Sequence, residues 1–133
     1  METIGTIDSK VGFYIGDPCY ILPDSIYYQF WGKQHKFVDG VFQDIPGYEI
    51  GGFAVSGTDF GDGCYEDNLG HHYPVDSGTL SVVSLELADE KKLKEMLKGE
   101  DSLILHCPGS AEFDGTDGYF YIKVNDTVVV INT

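Results

Sequence analysis

Tyr119-Phe120-Tyr121-Ile122-Lys123-Val124, then Asn125-Asp126, then Thr127-Val128-Val129-Val130-Ile131, reads as two strands folded back on each other. β-Branched and aromatic residues fill both arms and suit a pleated, half-buried surface. Asn-Asp at the junction tolerates the positive φ of a tight hairpin turn. One hairpin cannot bury its own apolar face, so the chain must supply more strands.

It supplies several. Thr79 to Leu87 carries Leu80, Val82, Val83, Leu85 and Leu87, the cleanest apolar run. Cys64 to Val75 reads as a second hairpin, with Cys64-Tyr65-Glu66 and His71-His72-Tyr73-Pro74-Val75 flanking Asp67-Asn68-Leu69-Gly70. Asn68 and Gly70 there suit positive φ. Tyr48 to Ser56 is a further strand, in which Gly51-Gly52 marks a bulge or tight bend. Ser102 to Cys107 is a short buried strand stopped by Pro108-Gly109. In Thr6 to Gly16 the apolar members Ile7, Val11, Phe13 and Ile15 surround Asp8-Ser9-Lys10, which predicts a third hairpin. Two helices interrupt the strands. Asp24 predicts a cap for Ser25 to Trp31, closed by Gly32, with Ile26, Tyr27, Phe30 and Trp31 on one stripe. Asp89 to Lys98 is the clearer helix. Asp89 caps it, Gly99 ends it, Leu93, Met96 and Leu97 form a narrow stripe, and Glu90 and Lys94 make an i,i+4 pair. The lysines Lys92, Lys94 and Lys98 lie toward its C-terminal end, where the helix dipole favours cations. Many short strands, Gly-rich turns and one or two short helices predict a mainly β (α+β) fold, a partly closed antiparallel barrel or sandwich.

The 133 residues, with 42% hydrophobic and 14% aromatic side chains, suffice for one core, and residues 1–133 are expected to form a single domain. Eight lysines, no arginine and 22 acidic residues leave a formal charge of −14. That balance opposes binding to nucleic acid or anionic membrane and removes the bidentate fork that clamps phosphates. No apolar run reaches membrane-spanning length. Met1 to Lys10 has no basic or apolar leader character. Three cysteines, Cys19, Cys64 and Cys107, match no metal or redox spacing, so reduced, buried thiols in a cytoplasmic protein are expected.

Gly16-Asp17-Pro18-Cys19-Tyr20 and Gly61-Asp62-Gly63-Cys64-Tyr65 share the pattern G-D-x-C-Y. The favoured reading is two equivalent turn-to-strand junctions, each capped by its Asp. The functional alternative brings two aspartates and two thiols to one end of a barrel. These two pieces, followed by Val75-Asp76-Ser77-Gly78, stand in the order found in a set of small phage and bacterial proteins with GDPCY, GDGxY and VDSG or VDAG motifs. The chain resembles that family from Ile15 to Val83. The resemblance implies a phage-type or bacterial cytosolic origin and carries over no activity and no catalytic residue.

The residues offer several chemistries and commit to none. Asp59, Asp62, Glu66 and Asp67, with His71 and His72, supply hard-cation ligand types, as does Asp114-Gly115-Thr116-Asp117-Gly118. Neither has EF-hand or HExxH spacing, and turn chemistry accounts for both. Cys64 with His71 or His72 across the hairpin would resemble a thiolate–imidazole pair. His106 and Cys107, adjacent on a strand, point apart. No catalytic residue, metal site or cofactor is assigned.

Charge is segregated. From Phe37 to Glu90 there are eleven Asp and Glu and no Lys, whereas four of the eight lysines fall in 89–98. With Tyr27, Tyr28, Phe30, Trp31, Tyr65 and Tyr73 in surplus for a small core, the leading expectation is a non-enzymatic acidic binding protein. It would engage a protein with a basic surface, or itself, through Asp59, Asp62, Glu66, Asp67, Tyr65 and Tyr73. The alternatives are a small-molecule or nucleotide pocket lined by Asp17, Tyr20, Asp62 and Tyr65, and a metal- or thiol-dependent enzyme.

Overall fold

The computed structural model describes residues 3–30, 40–43, 45, 51–116 and 119–133. Among these residues eleven strands form three sheets, so the protein is mainly β with two short helices. The strands are β1 (Thr3–Ser9), β2 (Phe13–Gly16), β3 (Gly40–Phe42), β4 (Phe53–Gly57), β5 (Gly63–Glu66), β6 (His72–Val75), β7 (Thr79–Ser84), β8 (Leu103–Leu105), β9 (Gly109–Thr116), β10 (Tyr119–Val124) and β11 (Thr127–Asn132). The helices are α1 (Asp24–Phe30) and α2 (Glu90–Lys98). One sheet has the order β1-β9-β10-β11, the second β3-β4-β7-β2-β8, and β5-β6 is a two-stranded ribbon. All ladders are antiparallel.

The two large sheets enclose one core. Ile7, Phe113, Phe120, Ile122 and Ile131 come from the four-stranded sheet, and Phe13, Ile15, Leu80 and Val82 from the five-stranded one. The other face of the five-stranded sheet, with Tyr14, Phe53, Val55 and Val83, packs against Ile21, Leu22, Ile26 and Leu87. β7 is buried on both faces: Leu80 and Val82 enter the first core, Val83 the second, and Thr79, Ser81 and Ser84 are buried with them.

The C-terminal hairpin pairs as read, Tyr119 with Asn132 through Val124 with Thr127, and Asn125 takes φ 53°. The hairpin of β5 and β6 also forms. Gly70 takes the positive φ of its turn, whereas Asn68 does not. Asn68 instead reaches β11: its N–H donates to Val130 O (3.0 Å), its Nδ2 to Val128 O (3.4 Å), and its Oδ1 accepts from Val130 N (2.8 Å).

Several expectations are corrected. The first segment is not a hairpin. Ser9 Oγ accepts from the N–H groups of Val11 and Gly12, and the chain there leaves the four-stranded sheet for the five-stranded one. β1 pairs with β9 and β2 with β7 and β8, so each strand finds its partner far along the chain. The strand from Thr79 stops at Ser84, whose Oγ caps a 3-10 turn over Leu85–Leu87. The strand expected over Tyr48 to Ser56 begins at Phe53, after the positive-φ pair Gly51-Gly52, and Tyr48 to Ile50 lie outside the described residues. β8 is half-buried and ends at Leu105. Of the carboxylate loop expected over Asp114 to Gly118, residues Asp114 to Thr116 belong to β9, and Asp117 and Gly118 lie outside the described residues.

α1 starts at Asp24 itself, with Pro23 O accepting from Ile26 and Tyr27, and Trp31 and Gly32 lie outside the described residues. α2 is capped as read: Asp89 Oδ1 accepts from Lys91 and Lys92 N–H, and Gly99 N–H donates to Met96 O. The ion pair within the helix, among the described residues, is Glu95–Lys98 rather than Glu90–Lys94. No α2 side chain is fully buried; Leu93 and Met96 rest on the second core, and Leu97 is exposed. Lys92 does more than meet the helix dipole. Its ammonium donates to Cys19 O (3.2 Å), Leu22 O (2.7 Å) and Asp24 Oδ1 (2.9 Å), which ties α2 to the start of α1.

Candidate functional site

The three motifs converge on one turn. Gly16 ends β2, and the backbone then closes a 3-10 turn over Pro18–Tyr20, capped by Asp17. The Asp17 carboxylate is buried. Its Oδ1 accepts from Cys19 N (2.8 Å) and Ser77 Oγ (2.8 Å), and its Oδ2 from Asp76 N (2.6 Å) and Ser77 N (2.8 Å). Ser77 Oγ and Thr79 Oγ1 lie 2.5 Å apart. Asp17 O accepts from Tyr14 OH (2.8 Å). The Tyr20 hydroxyl donates to Asp76 Oδ2.

The second G-D-x-C-Y piece meets the same turn from another side. A Cβ on Gly78 would stand 3.8 Å from Gly61 Cα and 3.9 Å from Asp62 Oδ1. Thr58 N donates to Gly78 O (3.0 Å), and Thr58 Oγ1 (2.6 Å) and Tyr65 OH (2.8 Å) both donate to Gly61 O. The two pieces are therefore neighbours but not equivalents. The first leaves the end of β2 and buries its Asp to hold a distant turn, whereas the second runs into β5, which begins at Gly63, and leaves Asp62 exposed.

This geometry sorts the sequence-predicted residues. Asp59, Asp62 and Glu66 are exposed, and Tyr65 is half-buried. Tyr73 is fully buried and Asp67 nearly so, which removes both from any contact surface. Asp67 Oδ2 accepts from Tyr73 OH (2.7 Å) and lies 2.7 Å from His71 Nδ1, and its Oδ1 accepts from the N–H of Leu69 (2.7 Å) and His71 (2.9 Å). A carboxylate with four partners belongs inside. The pocket drawn from Asp17, Tyr20, Asp62 and Tyr65 does not form, because Asp17 is enclosed and Tyr65 turns its hydroxyl back on Gly61. Tyr20 lines a cavity of about 370 Å³ together with Pro74, Glu95, Met96, Gly99 and Asp101.

Cys64 stands opposite Pro74 in the β5–β6 ladder, and His71 is held by Asp67. Among the described residues no three His, Cys, Asp or Glu converge as a metal site. None of the three free cysteines is fully buried, contrary to expectation, and Cys64 is exposed. Burial, then the neighbouring Asp17 carboxylate, pushes the half-buried Cys19 thiol far above its ordinary value. Thiolate access therefore favours Cys64. A maleimide added to native protein at mildly alkaline pH should label Cys64 first, and C64S should lose the fast phase. Equal rates at Cys19 would contradict this assignment.

The residue that sequence reading missed is Phe60. It is 79% exposed, between Asp59 and Asp62, on the loop joining β4 to β5. That loop is pinned by the Thr58 and Tyr65 bonds and by Asp59 N–H donating to Thr133 Oγ1 (3.1 Å). The signal in the sequence was a lone aromatic among Thr, Asp and Gly with no alternating apolar neighbour. Comparison with protein-family models, with curated proteins and with solved structures returns no match.

Proposed function

We propose that this protein is a non-enzymatic acidic binding protein whose contact surface is Asp59, Phe60, Asp62 and Glu66. The observation that carries the reading is Phe60, held out of the fold on a pinned loop. Burying such a ring against a partner contributes about 1.5–3 kcal/mol. A loop already ordered loses little entropy on docking. The flanking carboxylates, in a stretch without lysine from Phe37 to Glu90, steer a basic surface toward it. The partner is thus a protein with an apolar pocket rimmed by Lys or Arg. In the phage setting implied by the motif resemblance alone, that partner is a host protein, and this chain acts on it in the host cytoplasm as an inhibitor or accessory factor.

A photo-crosslinking amino acid at position 60, with position 28 as an exposed control, tests the proposal in bacterial cells and lysate. A discrete adduct is expected from position 60 only. It should vanish with D59K/D62K and at about 1 M salt, where the screening length falls to ~3 Å. An adduct indifferent to both changes, or equal adducts from both positions, would remove the electrostatic reading.

A further inference from the structure

The Tyr20 cavity shares no lining residue with the Phe60 surface. Its walls are an aromatic ring, a proline and a thioether, with Glu95 and Asp101 at the edge. It adjoins a second hollow of about 270 Å³ that runs past Tyr20 to Cys19 and Lys91. The ring is fixed before any ligand arrives: its hydroxyl is tied to Asp76, and its N–H donates to Asp17 O (3.3 Å).

The charges decide what fits. Lys92 borders the second hollow, but its ammonium already has three acceptors. Lys98 meets Glu95 Oε1 at 3.3 Å, where both side chains are about three-quarters exposed, so that pair is weak. Asp101 has no ion pair among the described residues. Among the described lysines, Lys91 also borders the second hollow, and Lys94 lies with Lys91, Glu95 and Lys98 along the adjoining face of α2. An immobilised aromatic face and a Met sulfur beside two accessible carboxylates complement a cation on an apolar stem. A guanidinium is favoured, because it stacks on an aromatic ring and forks onto a carboxylate.

We infer that the groove between α2 and the Pro18–Tyr20 turn binds the arginine side chain of a peptide. This site is independent of the Phe60 surface and would stand if that surface failed. It also gives the Gly16–Tyr20 motif a purpose, since Asp17 and Asp76 together hold Tyr20 in place.

The test is a chemical-shift titration of the isotope-labelled full chain with N-acetyl-arginine amide, using the neutral isostere N-acetyl-citrulline amide as comparison. Millimolar, saturable shifts confined to the Tyr20, Gly99 and Asp101 amides and the Met96 methyl are expected for arginine and not for citrulline. E95Q/D101N changes exposed side chains only and should weaken binding about fivefold. Y20L should weaken it by a similar factor, and F60A should leave it unchanged. Equal response to citrulline overturns the inference. So do shifts spread over Asp59, Asp62 and Glu66 alike, which mean counterion condensation on an acidic chain. So does the absence of shifts up to tens of millimolar.

Discussion

Asp17→Ala is expected to lower stability by about 3 kcal/mol, which is roughly 10 °C in melting temperature for a chain of this size. The carboxylate is buried and accepts four hydrogen bonds, three of them from the backbone or side chain of the distant Asp76-Ser77 pair. Alanine strands those donors beside the core. Asn keeps the shape but turns one acceptor into a donor facing N–H groups, so D17N should fall between wild type and D17A, at about 1–2 kcal/mol. Amide exchange separates a local role from a global one. In D17A the Asp76 and Ser77 amides should lose protection before β10 and β11 do. A D17A melt within the scatter of wild type would mean that water replaces the carboxylate without cost.

Asp67→Ala should cost about 2–3 kcal/mol, because it leaves the buried Tyr73 hydroxyl without its acceptor. A pH signature accompanies this loss. Burial pushes the Asp67 carboxyl up, but hydrogen bonds from Tyr73, the His71 backbone and ring, and Leu69 more than offset it and leave its pKa below the ordinary value. A group depressed in the folded state stabilises the fold above its unfolded pKa of about 4, and that contribution disappears as pH falls through the folded value. Wild-type stability should therefore drop below about pH 4 more steeply than that of D67N, which has no such proton to bind. Parallel acid limbs for the two proteins would show that Asp67 is not a significant contributor to acid unfolding.

The legible parts of the fold were those with local signals. Residues 119–131 carried both pattern and turn, and α2 carried its cap and its terminating glycine. β9 was illegible because, among its described side chains, Ala111 and Phe113 alone enter the core, set among Gly, Ser, Glu and Asp, and its place between β1 and β10 is a long-range fact. The same holds for β1 and β2, whose proximity in sequence suggested a pairing that their distant partners pre-empt. At the candidate site, residue type misled. Asp67 and Tyr73 are expected at the surface and satisfy each other inside, whereas Phe60, which the sequence reading passed over, stands in solvent. Hydropathy reports the cost of transfer to an apolar medium, not whether partners will be waiting there.

The contact between Asn68 and β11 bears on colloidal behaviour. Thr127-Val128-Val129-Val130-Ile131 has the β-branched, uncharged composition from which fibrils grow, and β11 is the last strand of its sheet. A bare edge of that kind would invite a second molecule to add a strand. Here Val128 O and both backbone groups of Val130 are already engaged by one asparagine, its side-chain amide imitating the next peptide unit. The hairpin turn that holds Asn68 thus works as a stopper, closing the sheet to self-templating without adding another strand.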